Sequence, residues 1–239
     1  VRPKWFKACW QGEPEEGSGL HFQPEAWPRY IDTGDAWRVW DGAQWQHYRK
    51  CECTILIAVD WAQAGKKDSD FTAFVVAALT YDGKLFILKV FNKRLRYEQN
   101  GPALNSECKI FRNLGAELIV SGEDDILSEA MVVECRRYRA IPELRRLKIK
   151  GKNKLIRAQA GIIRSQNNLV YYPQEAQDWE PTTTEQLSCF SGIAGETDDI
   201  ADCFGVLGRL ADEYYPDEDS AEFEAVSTSG YSPGWRVIA

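Results

Sequence analysis

Histidine is scarce in this chain: His21 and His47 are the only two, and both precede the first long apolar run. That argues against a His-dependent nucleophile or base in the main domain. No stretch approaches the roughly 18 consecutive apolar residues of a membrane span, and no charged, apolar, small-residue leader opens the chain. Neither a span nor a signal peptide is expected, and the opening Val1 points to a piece of something longer. No Gly-x-x-x-x-Gly-Lys-Ser/Thr phosphate loop occurs, nor any internal repeat or low-complexity tract. The seven cysteines are odd in number and scattered, and Cys51-Glu52-Cys53 lacks the two-residue spacer and second ligand pair of a structural zinc site. Reduced core thiols in a cytosolic protein are the expected state. Basic residues are outnumbered, 29 against 36 acids for a net charge of −7, so a surface basic all over is not expected, and a local basic groove is compatible with that balance.

What is present is an ordinary globular composition, 44% apolar and 27% charged over 239 residues, enough for a full core in one or two domains. Six of nine tryptophans (Trp5, Trp10, Trp27, Trp37, Trp40, Trp45) fall before residue 50 among frequent Pro, Gly and Glu. Residues 1–53 therefore read as an irregular, Trp-rich arm or linker whose rings dock on the following domain or on a neighbour. Residues 54–215 read as the main domain, and 216–239 as an acidic, mobile tail.

Ile55 to Val59 is a doubly buried strand signal, and it ends in Asp60. Phe71 to Leu79, the Asp82-Gly83 turn and Leu85 to Phe91 form a hairpin signal. A helix is predicted from Pro102 to Leu114, then a short strand Leu118 to Val120 leading into Gly122-Glu123-Asp124-Asp125. Further helices are predicted over 126–138, 155–163, 182–190 and 198–214, with short strands near Leu147 and over 169–172.

Three acidic clusters thus close or open elements: Asp60, then Glu123 to Asp125, then Asp198-Asp199 with Asp202. Taken singly, each has a turn or helix-dipole explanation. Together, in the order strand-strand-strand-helix-strand-helix-strand-helices, they resemble the ribonuclease H-like fold, an α/β fold whose first and fourth strands are neighbours. That predicts a mixed central sheet of about five strands with helices on both faces. It brings Asp60, Glu123 and Asp198 within reach of one site, where clustered carboxylates without basic partners usually take up hard cations. Two Mg²⁺ or Mn²⁺ ions, roughly 3.5–4 Å apart, are the expected cofactors of such a site. A basic stretch from Arg136 to Arg157, with Glu143 its one acid, supplies the substrate side. Arg146, Lys148, Lys150 and Lys152 alternate, so an extended segment shows them on one face to phosphates; Arg145 adds to them, and Lys154 and Arg157 are one helical turn apart.

Ile57-Ala58-Val59-Asp60, Ser69-Asp70-Phe71-Thr72-Ala73, Ile119-Val120-Ser121-Gly122-Glu123, Lys152-Asn153-Lys154-Leu155-Ile156-Arg157-Ala158 and Asp198-Asp199-Ile200-Ala201-Asp202-Cys203 resemble, in this order, the nuclease domain of the large terminase subunit of tailed phages and herpesviruses. Cys203 stands where that family usually has Ala, and Thr197 where His often stands. The resemblance implies a metal-binding triad Asp60, Glu123 and Asp198 with Asp199 close by, and Asp70, Asp124 and Asp202 as supporting acids; the residues alone leave Asp124 open as the second ligand. It implies cleavage of concatemeric double-stranded DNA during genome packaging. The implied partners are an ATPase domain of the same polypeptide, the portal protein and the small terminase subunit, at the procapsid portal in the host cytoplasm. A junction resolvase or transposase-like nuclease of the same fold is the nearest alternative, and a non-catalytic DNA-gripping module of the motor the next; the acids speak against a structural head protein.

Overall fold

The computed structural model describes residues 21–62, 71–148, 153–193 and 197–214, so the expectations on Asp70, Lys150, Lys152 and the 216–239 tail lie outside the described residues. The strands are β1 (Arg29–Asp32), β2 (Ala36–Trp40), β3 (Trp45–Arg49), β4 (Thr54–Asp60), β5 (Thr72–Leu79), β6 (Leu85–Lys93), β7 (Glu117–Glu123), β8 (Leu144–Leu147) and β9 (Val170–Pro173). The helices are α1 (Tyr97–Phe111), α2 (Ile126–Cys135), α3 (Lys154–Gln166), α4 (Glu180–Cys189) and α5 (Asp199–Tyr214). Among the described residues one nine-stranded sheet runs β3-β2-β1-β9-β6-β5-β4-β7-β8.

Its second half, β6-β5-β4-β7-β8, is the ribonuclease H-like arrangement: β5 is antiparallel to both neighbours, and β4, β7 and β8 are mutually parallel. Apolar runs alternate between the faces as the pleat requires. Leu56, Ala58 and Ile119 face α3, α4 and α5, whereas Ile55, Ile57, Val59 and Val120 face α1 and α2. Helix α5 is buried on nearly all sides, because the sheet lies beneath it and α3 beside it.

Nine strands rather than about five is a correction to the sequence expectation. The additional strands come mainly from residues 29–49, expected to be irregular, and from β9, which pairs parallel to both β1 and β6. β1 to β3 are four or five residues long and separated by turns with Gly34 at φ 94° and Gly42 at φ 99°. Such short strands are interrupted before a period-2 pattern can show. The tryptophans divide accordingly: Trp27 donates Nε1 to Ser165 Oγ at 2.7 Å inside the core, Trp37 is buried, and Trp40 and Trp45 are exposed.

Asp82 joins the two halves at the β5–β6 turn. Its carboxylate accepts from Tyr48 Oη of β3 at 2.7 Å and from Thr80 Oγ1 at 2.6 Å, and pairs with Lys84. Partial burial opposes ionisation, yet the hydrogen bonds from Lys84, Thr80 and Tyr48 outweigh it and hold the carboxyl below its usual range. A depressed carboxylate contributes stability that is present above the unfolded pKa and is lost as pH falls through the folded one. Asp82→Ala is expected to cost about 2 kcal/mol at neutral pH. The gap to the unaltered chain should narrow below the ordinary carboxylate range; a pH-independent difference in urea midpoint would remove the charge from the account.

Candidate metal and nuclease site

The ladder between β4 and β7 pairs Val59 with Gly122, which sets Asp60 beside Glu123 at the ends of two adjacent parallel strands, about 4.8 Å apart in backbone spacing. Parity decides where the carboxylates point. Asp60 follows Leu56 and Ala58 on the α5 face, and Glu123 follows Ile119 and Ser121 on the same face. Helix α5 then brings its first turn over them. Asp198, just before the helix, and Asp199 stand three to four residues from Asp202, so the three share a face. Gln186 of α4 fixes this helix end by accepting from Ile200 N–H at 2.9 Å.

Asp198, Asp199 and Asp202 are 8%, 6% and 7% exposed, a depth at which acids are almost never left uncompensated. The electrostatics reflect it. Burial, then the charges of Asp202, Asp199, Glu123 and Asp198, push the Asp60 carboxyl well above its ordinary range. Asp202 is raised to about 7 by burial, with Arg157 pulling it down and Asp198 and Glu123 pushing it up. Burial also raises Glu123, partly offset by Arg157.

Two cations stand among the acids. Arg157 of α3 bridges Glu123 Oε2 at 2.8 Å and Asp202 Oδ2 at 2.9 Å, and Lys154 pairs with Asp198. In this arrangement no group of three or more Asp, Glu, His or Cys side chains among the described residues is set to hold a metal ion. The donors nevertheless fit a hard divalent cation: all are carboxylates, and Glu123 Oε1 and Asp202 Oδ1 are buried with no hydrogen-bond partner.

The neighbouring acids have other engagements. Asp124 pairs with Arg146 at 3.2 Å, and Asp125 caps α2 by accepting from Ser128 N–H at 2.6 Å. Arg145 and Arg146 lie on opposite faces of the edge strand β8, because adjacent strand residues alternate. Arg145 reaches Glu213 at 3.3 Å and sits over the Tyr214 ring, while Lys148 is exposed just beyond the strand.

One residue escaped the sequence reading. Arg209 lies seven residues after Asp202, two helical turns along the same face, and its charge lowers Glu123. Its spacing from Asp202 was the available signal. Cys203 places its thiol 3.5 Å from the carbonyl of Ala73, the ladder partner of Asp60, so the position occupied by Cys is a packing position beneath the acids.

The sequence matches no protein-family model and no curated protein. Among solved structures it is similar to the human cytomegalovirus terminase nuclease domain, at 16% identity and a TM-score of 0.48, over 72% of this chain and 86% of that one. It is similar to the same domain Mn-soaked with inhibitor bound, at 14% identity and a TM-score of 0.48, over 68% and 84% of the two chains. The Mn-soaked domain gives 14% identity and a TM-score of 0.45, over 70% and 85%.

Proposed function

We propose that this chain is a metal-dependent DNA endonuclease that cuts concatemeric double-stranded viral DNA during genome packaging. The observation that carries the reading is the convergence of Asp60, Glu123, Asp198, Asp199 and Asp202 from two parallel strands and one helix, with Glu123 Oε1 and Asp202 Oδ1 buried without a hydrogen-bond partner. Asp60, Glu123 and Asp198 would hold Mg²⁺ or Mn²⁺, two ions in all, with Asp199 as a further ligand and Asp202 in support. When bound, such ions supply Lewis acidity toward the scissile phosphate and lower the pKa of a water.

The chain's own residues supply the rest. Glu123 shares the α5 face with Asp60, whereas Asp124 follows the end of β7 and pairs with Arg146, and this favours Glu123 as the ligand. Lys154 and Arg157, at the entry to the cluster, would turn to the phosphates beside the scissile bond. Arg145, Arg146 and Lys148 at the sheet edge would track the backbone farther along, together with Lys150 and Lys152. Contacts of this kind position a duplex without reading its sequence, so site choice is left to a partner. By the terminase resemblance, those partners would be an ATPase domain of the same polypeptide, the portal protein and the small terminase subunit, at the procapsid portal in the host cytoplasm.

The test is incubation of supercoiled plasmid with purified protein. Nicked and linear DNA should accumulate with Mn²⁺ or Mg²⁺, stop with EDTA, and show no fixed cut site. Cleavage indifferent to EDTA would overturn the reading, and a strong preference for four-way junctions would favour the resolvase alternative.

A further inference from the structure

We infer that Arg157, with Lys154 one turn before it, is an internal counter-cation that closes the carboxylate cluster of the metal-free protein and must be displaced when a divalent cation loads. The inference rests on the nuclease reading and adds to it a device that sets metal affinity.

Three observations carry it. First, one guanidinium joins acids from two different elements: one nitrogen meets Glu123 of β7 at 2.8 Å and the other meets Asp202 of α5 at 2.9 Å. The fork therefore spans the gap between the strand ends and the helix, the space a cation shared by β7 and α5 has to enter. Second, the pairing leaves the cluster incompletely satisfied. Glu123 Oε1, Asp202 Oδ1 and Arg157 Nε are all buried without hydrogen-bond partners, so each member keeps capacity for another ligand. Third, the backbone of Arg157 is packed closely against α5 while its side chain keeps some exposure. A Cβ on Gly205 would lie 2.5 Å from the Arg157 carbonyl oxygen, so the two helix backbones are in close contact there, while the side chain retains 24% exposure and has solvent to swing toward.

Charge makes the two occupants exclusive. A guanidinium and a divalent ion that both hold Glu123 would repel each other at contact distance in a poorly screened site. Breaking the bridge is thus part of every loading event, and the apparent metal affinity is reduced accordingly. Once displaced, Arg157 is free to meet an incoming phosphate, so loading the metal also prepares the substrate contact.

Arg209 is the internal control. It acts on the charge of Glu123 without making an ion pair among the described residues, so removing it takes away one positive charge and no bridge. The experiment is Mn²⁺ binding, followed by the free-Mn²⁺ EPR signal, on the full chain and on Arg157→Gln, Arg157→Lys and Arg209→Gln, together with melting in EDTA and in saturating Mn²⁺. Arg157→Gln is expected to bind Mn²⁺ at least tenfold more tightly than the unaltered chain, to melt lower in EDTA, and to recover that loss with Mn²⁺. Arg157→Lys, which cannot bridge both acids, should tighten binding about threefold, and it carries the test if the Gln variant does not fold. Arg209→Gln should change affinity by less than threefold. Equal affinities for the Arg157 variants and the unaltered chain overturn the inference and leave the nuclease reading standing, as does an equal gain in Arg209→Gln. If none of the proteins takes up Mn²⁺, the nuclease reading falls and the inference with it.

Discussion

Asp60→Asn is expected to lose DNA cleavage by a thousandfold or more and, in metal-free buffer, to melt at a higher temperature than the unaltered chain. The two effects have one origin. Asp60 ends β4 on the face covered by α5, and its carboxyl is raised by burial and by Asp202, Asp199, Glu123 and Asp198 around it. Among those acids the chain provides Arg157 and Lys154, yet neither pairs with Asp60. Ionising it therefore works against folding.

The sign follows from the direction of the shift. A carboxyl whose folded pKa lies above its unfolded value binds more protons in the native state, so stability falls as pH rises from the unfolded pKa toward the folded one. Asn removes that penalty at neutral pH while keeping the shape of the side chain. Each kcal/mol relieved is about 2–4 °C of melting temperature for a chain of this size. The loss of activity runs the other way. On the proposed reading Asp60 would help hold the cation that supplies positive charge toward the scissile phosphate, and a thousandfold corresponds to about 4 kcal/mol of barrier. Mn²⁺ should raise the melting temperature of the unaltered chain more than that of the variant. Unchanged plasmid cutting by a folded Asp60→Asn protein would sink the assignment; a lower melting temperature in EDTA would mean that Asp60 makes a favourable native interaction instead.

The parts of this site that were legible in sequence are those set by local pattern. Ile55 to Val59 declares a buried strand, and because side chains alternate, its even-numbered members and Asp60 must share a face. The same count from Ile119 puts Glu123 on that face, and acids at 198, 199 and 202 declare a helix start. The missing parts are set by contacts between distant residues. Arg157 and Lys154 belong to a basic stretch, and charge alone assigned them to substrate; which carboxylate a cation meets depends on how α3 packs on α5. The Ile200 cap is Gln186, from a different helix. The strands β1 to β3 are too short for periodicity, and what specifies them is the burial of Trp37 and Tyr48 against the hairpin rather than any run of their own.

A second large effect is expected at Gly205, one of three glycines in the seam between α3 and α5. Glycine in a helix interior is usually a weakness, and Gly→Ala at an exposed site would stabilise by about 1 kcal/mol. Here the sign reverses. A Cβ at Gly205 would meet the Arg157 carbonyl oxygen at 2.5 Å and the Ala158 Cα at 3.0 Å, and one at Gly208 would meet the Ala160 carbonyl carbon at 2.4 Å. From the other side, a Cβ at Gly161 would meet the Phe204 oxygen at 2.4 Å. The obstacles are backbone atoms, which no rotamer change can clear, so the helices must separate. Overpacking of this kind costs about 1–3 kcal/mol, more where both partners are rigid, and it exceeds the propensity gain. Gly205→Ala and Gly208→Ala should each lower the melting temperature by several degrees. They should differ in activity. Gly205 sits opposite Arg157, one turn from Asp202, so the wedge opens at the carboxylates; Gly208 lies a turn farther on, and its variant should keep more of its cleavage below its own melting temperature. A rise in melting temperature for both variants would show that the seam is looser than these contacts require, and that the approach of α3 to α5 does not set where Arg157 meets the acids.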